Sequence, residues 1–152
     1  MNDRDFMRLA LEEADAALAT GDVPIGAVAV HDGVVIGRGR NRREADHDAT
    51  AHAEMLALRE ASTALGRWRL DDVTLYCTLE PCAMCAGAMV LARLPRLVYA
   101  AVDLKAGMAG SIHDLLRHPR LNHRVDVQGG LLAEEAGALL RAFFEDLRGQ
   151  SL

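Results

Sequence analysis

Two short segments of this chain carry residue types that could work together in hydrolysis: His52-Ala53-Glu54 and Pro81-Cys82-Ala83-Met84-Cys85. An imidazole and two thiolates are ligands suited to Zn²⁺. Three such ligands leave the fourth tetrahedral position open to water, which separates a catalytic zinc site from a closed structural one. Glu54 supplies the unligated carboxylate that metal-assisted hydrolysis needs to move the water's protons.

Local elements must bring these residues together. Cys82 and Cys85 are three apart at the start of a helix expected over residues 83–93, so both sulfurs fall on one face. Pro81 suits the first turn, where its missing N–H costs nothing. The positive helix end also favours thiolates. A strand expected at Val73–Leu79 runs straight into Glu80-Pro81 and places the pair at a strand's C-terminal end. His52 and Glu54, two apart, do not share a helical face. They converge only at the extreme N-terminus of a helix expected over residues 50–65, for which Asp48 and Thr50 are candidate caps.

Taken singly, the parts have plainer explanations. Cys-x-x-Cys is also half of a structural zinc site, or a redox pair. A closed site needs a fourth ligand, and there is no second Cys-x-x-Cys. The remaining thiol, Cys77, sits in an apolar strand and reads as a buried small hydrophobe. A redox pair leaves His52 and Glu54 without a task.

The rest of the chain supplies a framework. Phe6, Ala10, Ala14, Ala17 and Leu18 recur at helical spacing within residues 4–19, which Gly21 ends. Residues 25–30 and 34–39 flank His31-Asp32-Gly33 and read as a hairpin. Residues 97–102 and 125–128 are further strands. Between them lies a glycine-rich loop, 103–111, with the single lysine, Lys105. Residues 131–147 form an amphipathic helix through Leu132, Ala136, Leu139, Leu140, Phe143 and Leu147. This order implies an α/β fold: a three-layer α/β/α sandwich with a mixed five-stranded central sheet, in one domain spanning residues 1–152.

No run reaches membrane-span length and the N-terminus lacks a signal-peptide pattern, so no membrane partner and a cytoplasmic location are expected. Three cysteines make a disulfide framework unexpected. The net charge of −5 argues against nucleic acid, yet its distribution argues the other way. Residues 1–22 carry six acids and two arginines, whereas Arg38, Arg40, Arg42 and Arg43 crowd together just before His52. That cluster could neutralise phosphates, or it could be a charged strand edge and loop.

H-x-E followed by P-C-x-x-C is a signature of zinc-dependent nucleobase deaminases, and the chain resembles that superfamily, with its cytidine deaminase-like fold. Within it the chain resembles the bacterial tRNA-specific adenosine deaminases. The matching blocks are Asp22-Val23-Pro24-Ile25-Gly26-Ala27-Val28, Thr50-Ala51-His52-Ala53-Glu54, Thr78-Leu79-Glu80-Pro81-Cys82, residues 103–111, Leu121-Asn122-His123-Arg124-Val125 and Phe143-Phe144. The resemblance implies hydrolytic conversion of adenosine to inosine at the wobble position of a tRNA anticodon. It implies one Zn²⁺ per subunit on His52, Cys82 and Cys85, with Glu54 as the proton-transfer residue. It further implies that Asn41 contacts the target nucleoside, that Asn122 lies near the pocket, that Asp103 opens a loop meeting RNA, and that Phe144 lies near the bound strand. The implied partners are a tRNA anticodon stem-loop and a second subunit in a homodimer. Without the resemblance, Asn41, Asp103 and Asn122 are ordinary turn residues, and Phe143 and Phe144 are helix core contacts.

Three departures stand out. Ala49 occupies a position where relatives usually have proline, Arg40 one where an aromatic is frequent, and Arg148-Gly149-Gln150-Ser151-Leu152 lacks a basic tail. The last lowers the expected general affinity for RNA. The rival activity is deamination of a free guanine- or cytosine-type compound at the same metal site. A non-catalytic zinc-stabilised module is a further rival, against which the retained Glu54 counts.

Overall fold

The structure, a computed structural model, describes residues 1–150; residues 151 and 152 of the C-terminal stretch read above lie outside the described residues. Helix α1 (Asp3–Ala16) opens on a reciprocal cap: the Asn2 side chain accepts from Asp5 N, and the Asp5 carboxylate accepts from Asn2 N. A 3₁₀ turn at Ala17–Thr20 follows and ends at Gly21. Strands β1 (Gly26–His31) and β2 (Val34–Arg40) form the expected hairpin. Asp32 and Gly33, with φ of 50° and 75°, supply the two positive-φ positions of a tight turn between right-twisting strands.

β1 also pairs antiparallel with β3 (Val73–Leu79). β4 (Arg96–Ala101) then runs parallel to both β3 and β5 (Asp126–Gly129). The sheet order is β2-β1-β3-β4-β5, the mixed five-stranded arrangement expected. Helices α3 (Ala53–Leu65) and α4 (Ala83–Leu91) cover one face, where Ala27, Ala29, Leu75, Cys77 and Leu97 are buried. Helices α1 and α5 (Ala133–Gln150) cover the other, over Val28, Val30, Tyr76 and Val98. The strands alternate between two buried faces, which is why β1, β3 and β4 read as nearly continuous apolar runs. In β2, a Cβ on Gly39 would run into the Ala53 carbonyl, so glycine lets the first turn of α3 lie against the sheet.

Some boundaries differ from expectation. The second long helix starts at Ala53 and not at residue 50, because Asp48 is not its cap. The Asp48 carboxylate instead accepts from Thr50 N and Thr50 Oγ1, both at 2.8 Å, a local turn that competes with helix. The Cys-x-x-Cys helix stops at Leu91, and Arg93 takes a positive φ of 62°. A short helix α2 (Arg43–Asp46) gave no sequence signal. The last helix begins two residues later than expected because Leu132 adopts φ 56°. Its apolar stripe is only partly used: Ala136 is buried, while Phe144 and Leu147 are 42% and 48% exposed. Among the described residues no helix is long and apolar enough to cross a membrane.

Candidate active site

The first turns of α3 and α4 meet where β3 ends. His52 is the N-cap of α3, with extended backbone (φ −83°, ψ 150°). That geometry frees its side chain from the helical spacing, so His52 and Glu54 reach one point although they are two residues apart. Cys82 is likewise the extended N-cap of α4, and Cys85 lies in its first turn. His52 Nδ1 is 3.5 Å from both Cys82 Sγ and Cys85 Sγ. Bonds of ~2.3 Å to sulfur and ~2.0 Å to nitrogen at a tetrahedral angle set an N···S separation of about 3.5 Å, so the donor set fits Zn²⁺. Among the described residues this is the one cluster able to hold a metal. Cys77 is no fourth ligand: it is buried and its thiol donates to Leu79 O at 3.2 Å.

Charge in the cluster is unevenly shared. The hydrogen bond between the two thiols, aided by His52, pulls Cys82 down to about 3. The same bond, aided by burial, pushes the Cys85 thiol upward. Contact with Cys82 raises the His52 imidazole. A bound dication would hold both sulfurs as thiolates. Glu54 is 4% exposed, and burial raises its carboxyl above the usual range, which suits a group that must hold and release a proton.

His52, Glu54 and Cys82, with Cys85 buried against His52, line the floor of a cavity of about 540 Å³, within the size range of small-ligand sites. Asn41, Asp103 and Phe144, which the resemblance assigns to substrate contacts, line it. Asn41 is buried and bridges two segments: its Nδ2 donates to Val23 O at 3.2 Å and its Oδ1 accepts from Arg43 N at 3.2 Å. Asp103 Oδ1 accepts from Lys105 N and Ala106 N, at 3.0 and 3.2 Å. Asn122 is exposed and is not part of the cavity wall within one chain. Its neighbour His123 meets Leu94 O at 2.7 Å instead, which holds that segment beyond the end of α4.

The arginine cluster divides. Arg38 and Arg40 share Glu13, at 3.7 and 3.8 Å, and Arg42 pairs with Asp46 at 3.0 Å. Arg43 is the member that lines the cavity. Sequence reasoning missed two acids that build this wall. Buried Asp22 accepts from Glu44 N at 2.6 Å and Ala45 N at 3.3 Å, anchoring α2. Buried Glu80 accepts from the backbone of loop 103–111. The available signal was slight: Glu80 stands between the end of β3 and Pro81, and Asp22 lies two residues before Pro24 in the segment leading into β1.

The MafB19-like deaminase family model matches residues 1–148. The tRNA-specific adenosine deaminase of Bacillus subtilis (strain 168) is 50% identical over 146 residues, covering 96% of this chain and 91% of that protein. The chain belongs to this deaminase family. Among solved family structures, one from a study of A-to-I editing by tRNA:A34 deaminases at the wobble position superposes with a TM-score of 0.84. It is 47% identical and covers 90% of this chain and 99% of that one. A guanine deaminase from Bacillus subtilis is 34% identical, with a TM-score of 0.66 over 98% of this chain and 95% of that one. The deaminase fold is therefore shared by both groups, and identity is higher to the tRNA-directed one.

Proposed function

We propose that this deaminase hydrolyses adenosine to inosine at the wobble position of a tRNA anticodon. The observation that carries the chemistry is a three-ligand His52-Cys82-Cys85 set with an unligated, buried Glu54 beside it at the floor of a nucleoside-sized cavity. Higher identity to tRNA-directed relatives than to a guanine deaminase supports the substrate.

His52, Cys82 and Cys85 would hold one Zn²⁺, which when bound activates water at neutral pH. Glu54 would take one proton from the attacking water and deliver it to the adjacent purine ring nitrogen as the C–O bond forms at the amino-bearing carbon. It would then take the second proton from the new hydroxyl and pass it to the amino group, so that the C–N bond breaks and ammonia leaves. Water and adenosine thus become inosine and ammonia. Asn41 would orient the nucleoside from its buried position, while Asp103 and Phe144 would bound the RNA strand at the mouth. A tRNA anticodon stem-loop is the proposed partner, with a homodimer and a cytoplasmic location as the accompanying state.

The test offers the purified protein an anticodon stem-loop with wobble adenosine beside free adenosine, guanine and cytosine. Inosine in the stem-loop is expected. Product from the free compounds alone rejects the RNA substrate.

A further inference from the structure

The proposed reaction has no step for Glu80, yet this carboxylate is 2% exposed and fully occupied. Its Oε1 accepts from Asp103 N at 3.0 Å and from the Ser111 hydroxyl. Its Oε2 accepts from Ala109 N at 2.9 Å and Ser111 N at 3.1 Å. Two backbone bonds join the same strips: Glu80 N to Ala101 O at 2.8 Å, and Met108 N to Pro81 O at 2.9 Å. Gly107 lies against the carboxylate, where a Cβ would collide with Glu80 Cδ. The near part of this loop, Asp103 to Ala106, lines the cavity. Two residues after Glu80 comes Cys82.

We propose that Glu80 is a positioning residue that locks loop 103–111 in register with the segment carrying Cys82, so that this cavity wall is preformed before substrate arrives. A carboxylate is required by count. Four donors converge on two oxygens that accept only. Glutamine offers one accepting oxygen and turns an NH₂ toward N–H donors; aspartate falls a methylene short. A donor left without its acceptor in this buried place is destabilising enough to let the loop leave.

The kinetic arm of the test rests on the deaminase function proposed above; the exchange arm does not. In full-length Glu80→Gln, hydrogen exchange at the amides of Asp103, Ala109 and Ser111 should accelerate at least about tenfold through local opening, with zinc content equal to that of the unmodified protein. On the stem-loop, KM should rise about tenfold while kcat changes less, the pattern of lost binding rather than lost chemistry. Gly107→Ala, whose Cβ would strike both this carboxylate and the Asp103 carbonyl, should accelerate exchange at least as much. Ser111→Ala, which removes one donor of four, should show a smaller acceleration at Asp103 and carries the test if Glu80→Gln does not fold. Unchanged exchange in Glu80→Gln or, failing its folding, in Ser111→Ala overturns the proposal. So does loss of zinc with KM unchanged. If the unmodified protein converts no stem-loop, the proposed function fails and exchange still decides Glu80.

Discussion

The floor and the rim of the cavity are built on different principles. On the floor, His52, Glu54 and Cys82, with Cys85 buried against His52, come from two helix starts packed against the sheet. At the rim, Leu104 is 79% exposed and Phe144 42%, on a loop and on the unpacked part of α5. The floor gains its geometry from the core and can hold reacting atoms to tight tolerances. The rim meets solvent and has little packing of its own, so its side chains are free to differ between deaminases that share one chemistry. Chemistry belongs to the fold; choice of substrate belongs to what surrounds its open end.

The largest expected effect tests the floor. Glu54→Ala should lower kcat by about 10³-fold, within the range of general acid–base catalysis, with zinc content unchanged in metal analysis. Retained turnover would remove Glu54 from the reaction. At the rim, Phe144→Ala should raise KM for a stem-loop about tenfold, since stacking a base is worth ~1–3 kcal/mol, and leave kcat nearly constant. A fall in kcat alone would move Phe144 from rim to floor. A smaller effect is expected for Arg43→Ala: a few-fold weaker RNA binding and a plot of log K against log salt whose slope falls by about 1. An unaltered slope would mean that Arg43 is no phosphate contact.

The smallest effect lies away from the cavity and should spare both regions. Asp3 accepts from Arg96 and from the Tyr76 hydroxyl, and these bonds hold its carboxyl below its ordinary value of 3.8. A depressed folded-state pKa adds stability at pH above 3.8, and that stability disappears as pH falls through the folded-state value. Asp3→Asn should therefore lower Tm at pH 7, with the gap closing below pH 3.8, and change neither KM nor kcat at neutral pH. A Tm gap constant with pH would show that charge on Asp3 is not what the contact uses.

Much of the fold was legible because it is written in local patterns. Apolar runs with Asp32-Gly33 between them specify a hairpin, and Pro81 with Cys82 and Cys85 marks a helix start after a strand. Errors arose where one side chain's local bond outweighed a pattern. Asp48 binding Thr50 delayed α3, and Leu132 at positive φ delayed α5. The expectation for Phe143 as a core contact was only half met, because an amphipathic stripe shows that a face is apolar and not how far the sheet beneath it extends. Glu80 and Asp22 passed unnoticed because a buried carboxylate is recognised by the donors around it, and those lie 23 to 31 residues away for Glu80 and, apart from Thr20 Oγ1, 22 or 23 for Asp22.

From sequence alone came the ligand types, the deaminase resemblance and the order of elements, because these depend on residue identity and short-range spacing. The tertiary structure decided what distance in space decides: that His52 Nδ1 faces both sulfurs, that Arg43 alone of its cluster turns to the cavity, and that Asn122 stays outside its wall. It also decided that Glu80 ties the metal-ligand segment to the loop at the mouth. Pairing among residues far apart in the chain is a property of packing, and no local pattern encodes it.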